Sequence, residues 1–285
     1  MSGAALRELA PVLVLDLLPE ERAALLELLS SLTDEEWGSP TVCPGWSAKD
    51  IALHLLGDDI GRLSRGRDAF APAAFTSLDR DTFEAELLAF INRQNELWVD
   101  ATRRLSPHLL IELLRWSGDE TERYFESLDL FAPGEPVSWA GPEPAPVWLD
   151  IAREYTERWL HQQQIRDAVG KPGLQERRLF APVLDTFVRA LAHTFRDVAA
   201  LAGTHVRLRI SGDAGGGWAL VRGEAGWLLY ANAGGEPQAV VAIDQETAWR
   251  LFTKGISRDE ALAKATITGD RTLGLKVLDT VAIIA

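Results

Sequence analysis

The chain has 285 residues, 47% of them hydrophobic, a single cysteine and a formal net charge of -13 at pH 7. That length allows one large or two moderate domains with a real core, and one cysteine excludes both an intrachain disulfide and a cysteine-rich zinc module, as expected in a reducing compartment. The acidic balance argues against a nucleic-acid partner, because phosphate binding draws on Lys and Arg releasing condensed counterions.

The N-terminal stretch "MSGAALRELAPVLVLDLLPEERAA" has acids where a signal peptide needs a basic region and a clean apolar run. The apolar runs further on are short and broken by charges, so the expectation is a soluble, cytoplasmic chain that crosses no membrane. Helical spacing then dominates up to about residue 203. Pro19 followed by Glu20 and Glu21 marks a helix start, with proline and acids in the first turn. Ser47 with Asp50 three residues on is a capping-box signal for the helix that holds His54. Residues 79–105 and 106–128 read as two long amphipathic helices, the second opening at Pro107. Short connections between such helices are the grammar of a bundle.

"FAPGEPVSWAGPEPAPV" (131–147) holds five prolines and two glycines and interrupts the pattern. It reads as a long structureless crossover, which lets the next helix return to a place its neighbours do not dictate. That helix, about 147–169, carries Trp148, Ile151, Tyr155, Trp159, Leu160 and Ile165 around much of its circumference, so it is expected to be buried. A further helix is predicted over 178–202. From Thr204 the grammar changes to short runs of Val, Leu, Trp and Tyr separated by Gly and Asp/Asn turns, with "VRLRIS" in strict alternation. Helices follow at "QETAWRLFTKG" and, after an "ITGD" turn, at "RTLGLKVLDTVAIIA". Charge shifts at the same place: residues 1–203 hold 20 basic and 33 acidic side chains, while the remainder holds nine of each. The domain reading is a helical bundle over 1–175, a connecting helix over 176–203 and a small α+β domain over 204–285.

Acids lie four residues from four of the five histidines, so that spacing alone selects nothing, and such pairs are more often ion pairs than chelates. Context favours Glu157 and His161, because they sit mid-helix on the most apolar helix, where a bare carboxylate is costly. Either Arg158 compensates Glu157 by a salt bridge, or a metal ion does, since i, i+4 side chains converge above a helix. His54 is the natural third ligand. Gly57 and Gly61 leave the surface beside it bare, which serves either a cavity or close helix packing. Two His and one Glu leave an open coordination position, as in catalytic rather than structural zinc sites. His108, at a helix start, His193, and His205, at a strand start, fit no such set. Cys43, beside Pro44 in a turn with no adjacent base, reads as a buried inert thiol.

"PTVCPGWSAKDIALHLLGD", with a Trp just upstream, resembles the first signature of the DinB/YfiT-like superfamily, in particular its mycothiol-dependent maleylpyruvate isomerase branch. "REYTERWLHQQQIRDAVGKP" resembles the second, a Glu-x-x-x-His pair before an Asp-Ala-x-Gly helix end, and "ITGDRTLGLKVL" is similar to the small sterol-carrier-protein-like domain that follows the bundle there. The resemblance implies a mainly α, DinB-like four-helix bundle followed by a small α+β domain. It implies a divalent metal, usually zinc, on His54, Glu157 and His161, and mycothiol as cofactor. In the isomerase the thiol adds to a cis double bond conjugated to carbonyls, rotation follows, and the thiol leaves again. Isomerisation or S-transfer to a small electrophile, by a monomer or homodimer, is the implied chemistry. The alternative is a binding module with a structural metal, holding an apolar ligand in the α+β domain or the inter-helix cleft. Three glutamines after His161 depart from the family pattern and suggest a more polar pocket wall. The family's carboxylate-binding arginine has no clear counterpart: Arg93 with Asn92 and Asn95, and Arg271, are weak candidates of a kind more often found on the surface.

Overall fold

The computed structural model describes residues 6–70 and 83–283. The chain divides into two compact units. One comprises Val14–Asp129 and Glu154–Leu174; the other comprises residues 6–13, Leu130–Arg153 and residues 175–283. This division differs from one drawn at 175 and 204, because residues 130–153 and the N-terminal segment group with the C-terminal sheet.

The first unit is built from helices α1 (Leu18–Ser30), α2 (Asp34–Trp37), α3 (Ala48–Arg62), α4 (Phe83–Thr102), α5 (Pro107–Glu126) and the last two-thirds of α6 (Val147–Ala168). Residues 79–82 of the helix predicted over 79–105 lie outside the described residues. The local signals act as expected: the Ser47 hydroxyl accepts from Asp50 N while Asp50 Oδ2 accepts from Ser47 N at 2.9 Å, and Ser106 caps α5. Leu25, Leu29, Ile51, Leu55, Leu110, Leu114 and Ile165 form the buried centre, each such side chain worth about 1.5–3 kcal/mol of transfer free energy. A single π-helical turn, Leu63–Arg67, extends α3.

The bundle interior is also ionic. Asp59, 1% exposed, accepts from Arg22 at 2.8 Å, Arg158 at 2.7 Å and Ser117 at 2.7 Å. Arg158 also donates to Glu154 at 3.0 Å, and Glu154 pairs with Arg62. Glu21, read from sequence as a helix-start acid, is fully buried and accepts from Gln162 at 2.7 Å. Burial raises its carboxyl above the ordinary range, although Arg22 and Arg158 lower it. Helix α6 therefore turns Glu154, Arg158 and Gln162, spaced by four, toward this network.

In the second unit the proline-rich stretch is not structureless. It forms an antiparallel hairpin of β1 (Pro133–Pro136) and β2 (Pro144–Pro146), where prolines survive because a two-stranded ribbon offers edges that need no donor. The helix predicted over 178–202 is instead α7 (Arg177–Phe187) and α8 (Ala190–Thr194). Between them Arg189 N and Leu191 N bond three rather than four residues back, and the Thr186 hydroxyl bonds Pro182 O at 2.8 Å, a back-bond that bends helices. A five-stranded sheet follows, with β3 (His205–Ser211), β4 (Gly216–Arg222), β5 (Trp227–Tyr230), β6 (Ala239–Asp244) and β7 (Thr266–Gly269) in the order β5-β4-β3-β6-β7. Only β3 and β6 run parallel. The stretch holding "ITG" is thus the edge strand β7 and not a turn; the preceding α10 (Arg258–Lys264) supplies the reversal, after α9 (Gln245–Phe252). The last helix, α11 (Arg271–Val277), is shorter than predicted. Among the described residues no helix is long and apolar enough to cross a membrane.

Candidate metal centre

His54 is delivered by the turn before α3. Cys43, Pro44, Gly45 and Trp46 make a β-turn with Gly45 at φ +78° and Trp46 N bonded to Cys43 O at 3.0 Å, as Pro-Gly at its centre dictates. The Thr41 hydroxyl ties down Trp46 O at 2.8 Å. The Trp46 ring then lies 5.2 Å from the His54 ring. On α6, Glu157 and His161 lie one turn apart, on a face that adjoins the one carrying Glu154, Arg158 and Gln162.

These three side chains meet. One ligand atom from each of His54, Glu157 and His161 lies within 4.8 Å of the other two. Glu157 Oε1 is 3.0 Å from His161 Nε2 and 3.9 Å from His54 Nε2, and the imidazoles stand edge to face at 4.7 Å. Ligand atoms bound to one tetrahedral zinc at about 2.0–2.1 Å are roughly 3.3 Å apart, so the carboxylate spacings bracket what an ion would require. The donor set, two nitrogens and one carboxylate oxygen, suits a borderline divalent cation. The imidazoles are buried, whereas the Glu157 side chain is 32% exposed, which leaves a side of the site open to small molecules.

Electrostatics keep Glu157 ionised. Burial would raise the Glu157 carboxyl, but hydrogen bonds and charge from His161 and His54 outweigh it and hold it well below the usual range. His54 is raised despite its burial, by the Asp58 carboxylate and by Glu157. Arg158 does not compensate Glu157, contrary to one of the two readings of the sequence, because its guanidinium is taken by Asp59 and Glu154.

The bare glycine surface also resolves. A Cβ at Gly57 would sit 2.7 Å from Trp98 Nε1, whose N–H donates to Leu53 O at 2.7 Å. Gly57 therefore serves close packing of α4 on α3. Gly61 faces open space, with nothing within 4 Å of a Cβ there.

Two neighbours escaped the sequence reading as parts of the site. Asp58 Oδ2 lies 3.2 Å from His54 Nε2; its i+4 spacing was visible but indistinguishable from chance pairs. Gln164 Oε1 accepts from His161 Nδ1 at 2.7 Å and from the Cys43 thiol at 3.4 Å, a pairing that places the His161 proton on Nδ1 and leaves Nε2 free to ligate. Gln162 and Gln163 bond Glu21 and Leu174 N instead, so only one of the three glutamines borders the site. Burial raises the Cys43 thiol, opposed by Thr41, which fits an inert thiol.

The other candidates do not join the cluster. His108 is exposed and 3.6 Å from Glu112 on α5, while His193 and His205 belong to α8 and β3 of the second unit. Asn92 and Arg93 are exposed on α4, Asn95 is half-buried there, and Arg271 is exposed at the start of α11.

No curated protein matches the sequence. Two solved structures resemble the chain, a mycothiol-dependent maleylpyruvate isomerase and a histidine-to-alanine mutant of a protein so named. Each has 13% identity and covers 83% of this chain and 86% of that one, with TM-scores of 0.47 and 0.48. A sequence model described as the mycothiol maleylpyruvate isomerase N-terminal domain matches residues 18–166, just over half of the chain and a span that holds His54, Glu157 and His161 together. By that match the chain belongs to the mycothiol maleylpyruvate isomerase N-terminal domain family.

Proposed function

We propose that the chain is a divalent-metal enzyme that uses a low-molecular-weight thiol, mycothiol by family, on a small electrophile. The observation that carries this is the convergence of His54, Glu157 and His161 within 4.8 Å on the partly open side of the bundle. A zinc ion held there would keep a coordinated thiol as thiolate at neutral pH, the species that adds to an electrophilic carbon. In this reading His54 and His161 ligate through neutral imidazole, Glu157 supplies the anionic ligand, and Gln164 holds the His161 ring in register. The Trp46 ring packs against the His54 side. Cys43 takes no covalent part, so isomerisation of the maleylpyruvate type or S-transfer draws its sulfur from the external thiol.

A structural metal in a non-catalytic binding module is the second reading. The paired Arg22, Asp59, Arg158, Glu154 and Arg62 network and the apolar centre hold the helices without an ion, and this favours the first reading. The five-stranded sheet supports reading residues 204–285 as the sterol-carrier-like domain. A cytoplasmic monomer or homodimer remains the expectation from sequence.

The test is metal analysis of the full chain purified without chelators, alongside Glu157→Gln, with maleylpyruvate isomerisation followed in the presence of mycothiol. One equivalent of divalent ion, lost in the variant together with turnover but not with helical content, is expected. An ion-free yet folded parent chain sinks the proposal. Unfolding on chelation favours the structural-metal reading.

A further inference from the structure

The five-stranded sheet has two unlike faces. Val206, Leu208 and Ile210 of β3 are buried, and Leu208 pairs with Val241 of β6, against which Gly274 brings α11. Strand alternation sends Arg207 and Arg209 to the opposite face. Their cross-strand neighbours there are small: Ala219 and Gly217 on β4, Val240 and Ala242 on β6. The guanidinium groups consequently border a cavity of about 220 Å³ lined by Arg207, Arg209, Gly217, Trp218, Ala231 and Asn232. Arg207 is steadied by one bond from Nη2 to Ala233 O at 3.1 Å. Among the described residues neither arginine pairs with a carboxylate, although the chain holds 42 acidic side chains against 29 basic ones.

Arg209 is exposed and Arg207 half-buried, and no carboxylate among the described residues offsets the repulsion between these like charges two residues apart on one strand face. An external anion relieves that repulsion, and the forked donors of arginine match the paired oxygens of a carboxylate or phosphate. We propose that this cavity binds a small oxyanion-bearing ligand, its carboxylate or phosphate group held by Arg207 and Arg209 and its body over the side-chain-free backbone of Gly217. The volume admits a ligand of a few heavy atoms and excludes a dinucleotide. The site uses no residue of the metal centre and does not rest on the function proposed for it.

Titration calorimetry on the full chain, with sodium phosphate and separately with sodium succinate at constant ionic strength, tests this. Saturable binding of at least one anion is expected, weakened about tenfold or more by Arg209→Gln, as loss of a charge-assisted pair implies. Arg209→Lys retains part of the affinity. Gly217→Val fills the cavity without removing charge, and because a Cβ there meets only Leu208 O at 3.9 Å the fold accommodates it; binding is lost. Saturation by succinate alone identifies an organic acid site, and by phosphate alone a phosphate site. The proposal is overturned if neither anion saturates, or if both Arg209→Gln and Gly217→Val bind as the parent does.

Discussion

Replacing Asp59 by Asn tests whether the buried ionic network sets the roll of α6 and thereby aims Glu157 and His161. The carboxylate is 1% exposed and accepts from two guanidinium groups and one hydroxyl at 2.7–2.8 Å. An amide is nearly isosteric but removes the charge that balances Arg22 and Arg158 and turns one acceptor into a donor facing donors. Removing one partner from a buried charge cluster costs roughly 3–5 kcal/mol. For a chain of this size that lowers the melting temperature by on the order of 10 °C. Urea unfolding followed by helical circular dichroism, with metal and with chelator, reads the stability; a competing chromophoric chelator reads the divalent affinity, which falls with it. A triple replacement, Arg22→Met with Asp59→Leu and Arg158→Met, removes all three charges together and lies closer to the parent than Asp59→Asn does. If Asp59→Asn costs under about 1 kcal/mol, the network is not what fixes α6.

Gly57→Ala forces the Trp98 indole off Leu53 O and costs roughly 1–3 kcal/mol as an overpacked contact. Gly61→Ala, in open space, stabilises by up to about 1 kcal/mol; equal effects of the two in chemical denaturation contradict the packing account. Gln164→Leu leaves the His161 Nδ1 proton without its acceptor and weakens divalent affinity roughly 10–100-fold, and an unchanged competition titration removes its orienting role. Asp50 is held below the ordinary carboxyl range: burial raises it, but Arg103 and the Ser47 cap lower it more. Its contribution is therefore fully present above the unfolded value of about 3.9 and is lost as pH falls through the lower folded value. Asp50→Asn should cost about 1 kcal/mol at neutral pH and flatten the acid limb of the stability curve; an acid limb identical to the parent's refutes the assignment.

Much of the site could be read from sequence because its parts are locally encoded. The i, i+4 convergence of Glu157 and His161 follows from helix periodicity. The capping box at Ser47 and the Pro-Gly turn before it set the start of α3 and so the height of His54 along it. The same local logic misled where edge geometry replaced it: the prolines of β1 and β2 signalled a break and not a ribbon, and the four residues of β7 were too short to show alternation.

Everything that depends on how one helix is rolled against another was decided by tertiary structure alone. Arg158 is adjacent to Glu157 in sequence yet serves Asp59, because consecutive residues on a helix point about 100° apart and the bundle turns Arg158 inward. Gly57, open in the sequence between a cavity and close helix packing, makes room for an indole from α4. Asp58 and Gln164 stand among several similar acids and amides, and only the meeting of α3, α6 and the Cys43 turn selects them. Local periodicity placed the three candidate ligand residues on their helix faces, and packing chose which charges those faces meet.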